Sequence, residues 1–113
     1  YTPDAATYKK ALTREVRGIV GVSLYGSLGE LEDLEKMAIE NKLFLIEDAA
    51  QSFGASINGR AAGSFGDASC ISFDPTKVIP ASAPCGALLT DNKDLGKLAR
   101  QLRLHGRDER VQF

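Results

Sequence analysis

A short apolar run, Leu43-Phe44-Leu45-Ile46, ends abruptly in two carboxylates, Glu47 and Asp48, and this constrains the chain more than any other stretch. Bounded by turn signals and only a few residues long, it predicts a buried strand of a parallel sheet. The segment before it carries a helical pattern. Over 28–42, Leu31, Leu34 and Ala38 fall at i, i+3 and i+7, and Glu30, Glu32, Asp33 and Glu35 load the amino end, where the helix dipole favours negative charge. Before that, the β-branched and apolar stretch from Ile19 to Tyr25 predicts another strand, stopped by Gly26. Strand, crossover helix and strand in that order imply two parallel strands joined in the right-handed sense. Ligands of such sheets gather at the carboxyl ends of the strands, which is where Asp48 falls.

The remaining elements extend the layer. Pro3-Asp4 opens a short helix through Leu12, after an extended start at Tyr1 to Pro3. Phe53 to Ile57 predicts a short strand turning at Asn58-Gly59, a strong turn dipeptide. Gly63, Gly66 and Asp67 mark a turn before a strand at Ala68 to Phe73, and Gly86 to Thr90 predicts one more. Thr90-Asp91 is the expected cap of a last helix with Leu95, Leu98, Ala99 and Leu102 on one face, ended by His105-Gly106. The expected fold class is α/β, a layer sandwich of at least four strands and three helices. It has no obvious first strand and stops at Phe113 after a charged segment, Arg107 to Arg110, so residues 1–113 are expected to form a single partial domain.

Composition excludes several function classes. A net charge of −1 with no basic stripe argues against nucleic acid as a partner. No apolar run approaches the roughly 18 residues of a membrane span. No signal peptide is recognisable, and the chain does not begin with Met. Cys70 and Cys85 lack paired metal spacing and are expected to be small buried hydrophobes, which implies a reducing, cytoplasmic setting. His105 is the only histidine and has no Ser or Cys at a suggestive spacing, so it is expected to be structural rather than part of a hydrolase triad. No glycine fingerprint for a dinucleotide follows a strand, which disfavours an unrelated nucleotide-binding domain.

The candidate chemistry lies between Asp48 and Lys77, 29 positions apart. Singly, an Asp ending a strand is usually a turn former, a lysine after Pro75-Thr76 a solvated surface cation, Ser72 a satisfied core hydroxyl and Gln51 a surface amide. Taken in order, Glu47-Asp48-Ala49-Ala50-Gln51, Gly63-Ser64-Phe65-Gly66-Asp67, Ser72-Phe73-Asp74-Pro75-Thr76-Lys77 and Leu102-Arg103-Leu104-His105-Gly106 resemble successive signatures of the DegT-type (DegT/DnrJ/StrS) sugar aminotransferases. These are pyridoxal 5′-phosphate enzymes of the aspartate-aminotransferase fold (fold type I), and the likeness runs from Tyr1 to about Arg107.

The resemblance implies a fragment of that fold's large domain, with a mostly parallel sheet flanked by helices. It implies that Lys77 forms a Schiff base with the cofactor and then shuttles a proton, work suited to an amine whose pKa its surroundings can lower. It implies that Asp48 pairs with the pyridine nitrogen, that Gln51 lies against the ring and its 3′ oxygen, and that Ser72 donates to the phosphate. The implied reaction moves an amino group from an amino acid, with glutamate the expected donor, to a keto-sugar nucleotide, in a homodimer. Because Lys77 is present, the related dehydratases, which carry histidine there, fit less well. Glu47 should face away from the crevice by strand alternation, and the glycines from Gly63 to Gly66 should serve turn geometry.

The sequence also departs from the family pattern. Pro80-Ala81-Ser82-Ala83-Pro84-Cys85-Gly86 keeps only the last glycine of a glycine-rich loop, and a Cys where a positive φ is needed would strain it. Ser23 stands where many members carry histidine. Family members are several times longer, so this chain alone is expected to bind the cofactor weakly and to show no transamination. The competing reading is a non-catalytic α/β remnant or interaction module whose site has decayed.

Overall fold

A computed structural model of the chain describes residues 4–106. The expectations for Tyr1 to Pro3 and for Arg107 to Arg110 lie outside the described residues. In chain order the elements are α1 (Ala5–Ala11), β1 (Gly18–Val22), α2 (Leu31–Asn41), β2 (Phe44–Asp48), β3 (Ser56–Ile57), β4 (Arg60–Ala61), β5 (Ala68–Ser72), β6 (Gly86–Leu89) and α3 (Lys93–Arg103). The main sheet has the order β1-β2-β5-β6. Its first three strands are parallel, with Ile19 opposite Leu45 and Asp48 opposite Cys70, and β6 closes it antiparallel with Ser72 opposite Gly86. The fold is therefore α/β with a mostly parallel sheet, as expected.

Local chemistry explains where the elements begin and end. Asp4 caps α1, its carboxylate accepting from the Thr7 N–H at 2.8 Å and the Thr7 hydroxyl at 2.6 Å. β1 stops at Val22 rather than reaching Tyr25, because Tyr25 and Gly26 have φ of 54° and 80°, which no strand accommodates. The helix expected from residue 28 starts at Leu31, since Gly29 is left-handed (φ 52°) and delays the first turn. It ends at a left-handed Lys42, whose N–H bonds back to Ala38 and Ile39. The Asn58-Gly59 turn joins β3 to β4 with both residues at positive φ, the requirement of a tight primed hairpin turn. The cap of α3 is Asn92, whose side chain accepts from the Asp94 and Leu95 N–H groups. Thr90, expected in that role, instead donates to the Asp67 carbonyl at 2.6 Å and accepts from Asn92.

The core lies on one face of the sheet. Leu31, Leu34, Met37 and Ala38 of α2 pack with Ile19, Leu28, Leu45 and Phe65. Gly21 is small because a Cβ there would lie 2.8 Å from Leu31 Cδ2. β2 is not buried on both faces as expected. It alternates, with Leu45 and Glu47 buried and Phe44 and Ile46 exposed by 66% and 40%. The opposite face, with Val20, Val22, Phe44, Ile46 and Leu88, is open among the described residues. That openness also corrects the expectation for the cysteines. Cys70, level with Asp48, and Cys85, in the loop before β6, are both exposed.

Carboxylates bind the segment between β4 and β5 to the core. Glu47 is completely buried and accepts from Gly63 N–H on both oxygens at 2.9 Å and from Phe65 N–H at 3.1 Å. Glu35 on α2 holds Arg60 at 2.6 and 3.0 Å and also accepts from Gly66 N–H. The guanidinium beside it, with the Gly66 N–H, holds the Glu35 carboxyl below its ordinary range. Arg60 also lies 4.0 Å over the Phe65 ring. Asp67 exchanges two bonds with Leu45, from its own N–H to the Leu45 carbonyl and from Leu45 N–H to its carboxylate. These ties set where β5 enters the sheet.

Candidate functional site

The candidate residues sit where the parallel strands end. β2 ends at Asp48, β5 at Ser72, and the segments that follow them carry Gln51 and Lys77. Gln51, Ser72 and Lys77 line one cavity of about 330 Å³, together with Tyr25, Phe53 and Val78. That volume is at the lower end for a small-molecule site. A larger depression of about 750 Å³ between β6 and α3 contains none of the four residues and is lined by charged groups such as Asp91, Lys93 and Arg103.

Asp48 stands slightly apart. It is half-buried and does not line the cavity wall, but its carboxylate accepts from the N–H of Ala50, which does, at 3.0 Å. The pleat puts Asp48 on the open face with Cys70 and Ser72, opposite the buried Glu47, as strand alternation requires. The Asp48 carbonyl accepts from Ser23 N–H at 3.0 Å, which ties the end of β1 to the end of β2. The Ser23 hydroxyl, almost completely buried, has no hydrogen-bond partner among the described residues.

Lys77 is placed by a compact turn. The Asp74 carboxylate accepts from the Thr76 N–H at 3.0 Å and its hydroxyl at 2.7 Å, while the Asp74 carbonyl accepts from Lys77 N–H. The Thr76 hydroxyl and N–H, and then the Lys77 charge, hold the Asp74 carboxyl below its ordinary range. Pro75, with φ preset, suits the second position of that turn. The Ser72 hydroxyl accepts from Asp74 N–H at 3.3 Å, which leaves its own proton available to donate. The loop that follows folds back on the same place. Ala81 N–H donates to the Phe73 carbonyl and Phe73 N–H to the Cys85 carbonyl.

The strain expected at Cys85 is absent, because Cys85 is not among the positive-φ residues. The glycine that matters there is Gly86, where a Cβ would lie 2.7 Å from the Ile71 carbonyl oxygen. His105 is exposed at the end of α3 with φ 58°, away from the cavity lining. Among the described residues no group of His, Cys, Asp or Glu could hold a metal ion. Sequence reasoning missed Tyr25 and Thr76. Tyr25 was hidden inside an apparent strand, whereas Asp-Pro-Thr before a lysine was a legible turn signal.

An amine, an amide and a hydroxyl therefore line one cavity at the carboxyl ends of parallel strands, the place where α/β sheets gather ligands. Comparison with known proteins narrows the class. The chain belongs to the DegT/DnrJ/EryC1/StrS aminotransferase family, whose model matches residues 1–113.

It is 37% identical over 103 residues to a pleiotropic regulatory protein of Geobacillus stearothermophilus, covering 91% of this chain and 28% of that protein. It is 38% identical over 109 residues to the dTDP-3-amino-3,4,6-trideoxy-alpha-D-glucose transaminase of Micromonospora megalomicea, covering 96% and 29%. The structure of NtdA from Bacillus subtilis with bound cofactor PMP superposes with a TM-score of 0.82 at 32% identity, covering 92% of this chain and 23% of that one. The chain spans less than a third of the length of the curated relatives it matches.

Proposed function

We propose that residues 1–113 are the cofactor-binding core of a pyridoxal-phosphate-dependent aminotransferase, and that the complete enzyme moves an amino group from an amino acid, glutamate in our reading, to a keto-sugar nucleotide. The observation that carries this is the shared cavity of Gln51, Ser72 and Lys77 in a chain of an aminotransferase family. The residues present fit the cofactor by their chemistry. One primary amine is available to an aldehyde, one hydroxyl with a free proton to a phosphate oxygen, and one amide to a ring oxygen. When bound, pyridoxal phosphate supplies an electron sink for the carbon from which a proton is removed.

The roles then divide among this chain's own groups. Lys77 Nζ would be the group that holds the cofactor, and as a free amine it would take up and return the proton at the substrate carbon. The Asp48 carboxylate, which accepts from Ala50 N–H, would accept from the pyridine nitrogen and so keep it protonated. The Ser72 hydroxyl would donate to the phosphate. The Asp74 turn fixes the backbone of Lys77, so that its side chain alone needs to move. A homodimer in the cytoplasm is part of the same reading. It is supported by the family likeness and is compatible with the finding that no described helix is long and apolar enough to cross a membrane.

The test is chemical trapping. The chain is incubated with pyridoxal phosphate, reduced with borohydride and digested, and the modified peptide is located by mass spectrometry. Labelling concentrated on Lys77 and lost in Lys77→Ala is expected, without steady-state transamination by these residues alone. Labelling spread over the surface lysines, unchanged in Lys77→Ala, would support the decayed-site alternative instead.

A further inference from the structure

The turn between β3 and β4 carries a reactivity that the candidate site does not use. Of the three asparagines in the chain, Asn41 and Asn92 precede lysine, and only Asn58 precedes glycine. Asn58 and Gly59 are both exposed, and a Cβ on Gly59 would meet nothing within 4 Å. The side of Gly59 on which other residues carry a side chain is therefore open to the Asn58 carboxamide. Attack there joins the Gly59 nitrogen, which gives its proton to solvent, to Asn58 Cγ. The Cγ–Nδ2 bond breaks, ammonia leaves with a proton from solvent, and a succinimide ring closes. Water then opens the ring at either carbonyl. At Cγ it gives aspartate; at the backbone carbonyl it gives isoaspartate, whose main chain is a methylene longer. The reaction needs only water, and either product adds a negative charge.

The carboxamide is held in the folded chain. Asn58 Nδ2 donates to the Glu32 carboxylate at 2.9 Å, 26 residues back on α2. Further along the same helix Glu35 holds Arg60 at 2.6 and 3.0 Å. These two contacts dock the β3–β4 hairpin on α2. An amide engaged in this way turns toward its own backbone only when the bond opens, so Glu32 slows the reaction. The product reverses the contact. A carboxylate at residue 58 cannot donate, and it meets Glu32 as like charge against like charge. Glu32, Glu35 and Glu47 already act on the Arg60 guanidinium and hold it above its ordinary range, the Glu35 bond foremost. The new charge thus enters a place already rich in carboxylates. We propose that Asn58 is a modification site: it deamidates through a succinimide at a rate restrained by Glu32, and the carboxylate produced releases the β3–β4 hairpin from α2.

The first measurement follows the chemistry. The full chain is kept in mildly alkaline buffer at physiological temperature for weeks and digested with trypsin. The peptide spanning residues 43–60 is read by mass spectrometry, with enzymatic methylation to detect isoaspartate and an unincubated sample to correct for conversion during digestion. Glu32 lies on the surface of α2 and alanine is the best helix former, so Glu32→Ala keeps the fold. Isoaspartate is expected at residue 58, with Asn41 and Asn92 unconverted over the same time. Conversion should be about two- to fivefold faster in Glu32→Ala, the effect of losing one exposed bond to a charge. Conversion at residue 58 no faster than at Asn41 and Asn92 overturns the site. Equal rates in wild type and Glu32→Ala overturn the part given to Glu32.

The second measurement reads the consequence. Asn58→Asp carries the charge from the start, and aspartate tolerates the left-handed turn as asparagine does, so its effect reports on the contact with Glu32. Its melting temperature should fall by about 2–5 °C. Adding Glu32→Gln exchanges donor and acceptor, and against Glu32→Gln alone the loss should largely vanish; salt should also diminish it in the single variant. A melting temperature unchanged by Asn58→Asp, or a loss that Glu32→Gln leaves as it is, overturns the release of the hairpin.

Discussion

Glu47 offers the most exacting test of how this fold is held together. Its side chain is completely buried, and among the described residues it accepts from Gly63 N–H on both oxygens and from Phe65 N–H on Oε2. In Glu47→Gln one oxygen can take the Oε2 position and keep both donors, but the amide nitrogen then faces Gly63 N–H, donor against donor. Hydrogen bonds to a charged group contribute about 1.5–3 kcal/mol and neutral ones about 0.5–1.5, so weakening two of them costs about 2 kcal/mol. Glu47→Leu removes both acceptors and leaves the Phe65 and Gly63 N–H groups unserved, at about 1–3 kcal/mol each; relief from burying a charge offsets part of that, and the net loss is about 3 kcal/mol. Against a total of about 5–15 kcal/mol for a domain, either change is large. The assay is urea denaturation followed by circular dichroism, with the slope checked for constancy. If both variants unfold within about 0.5 kcal/mol of wild type, the loop is not held by Glu47 and the reasoning fails.

Three further outcomes follow from the same contacts. Gly66→Ala forces a Cβ to within 2.5 Å of the Leu45 carbonyl oxygen at φ 70°; overpacking and left-handed strain together should cost about 2–4 kcal/mol in the same titration. The folded Glu35 carboxyl titrates below the ordinary value of 4.5, first because of its bond to Arg60. Its contribution is therefore present above the unfolded value and is lost as pH falls through the folded one, so Glu35→Gln should flatten the acid side of the stability curve below about pH 4.5 and leave the alkaline side unchanged. Asp74→Ala removes the acceptor for both Thr76 donors; borohydride trapping at Lys77 should slow several-fold while the melting temperature stays within a few degrees, because the turn is exposed.

The order of elements was legible because the apolar patterns change period sharply, from the helical spacing of Leu31, Leu34 and Ala38 to the run at Leu43–Ile46. The parallel pairing of β1 and β2 follows from the length of the helix between them. Resemblance to the family's successive motifs singled out Gln51, Ser72 and Lys77, which share the cavity wall, and Asp48, which does not line it but bonds Ala50, which does. What the sequence concealed depends on single backbone angles and on faces. Nothing in Leu24-Tyr25-Gly26 marks the tyrosine as left-handed, since that conformation is stabilised by a partner 26 positions away. Cys70 resembles a core residue among Ser69 and Ile71, yet the pleat turns it to the open face. Thr90 is as good a helix cap as Asn92 by type, and only its bond to the Asp67 carbonyl decides between them.

Glu47 and Asp48 are the same chemistry one position apart, and the pleat gives them opposite tasks. The inward carboxylate organises the loop that leads into β5, and therefore the strand whose end carries Ser72 and, five residues later, Lys77. The outward one is left at the strand tip, accepting from the Ala50 N–H, a bond that a ligand could replace. A slip of β2 by one residue would exchange them. Asp48, a methylene shorter, would point inward, Glu47 would face the open side, and Leu45 would leave the core for the exposed position now taken by Phe44. The burial of Leu45 and the Gly63 and Phe65 donors therefore enforce the same register that sets Asp48 at the site. Placement of the candidate site is in this sense a by-product of core packing, which is why a stability measurement at Glu47 bears on a question of chemistry.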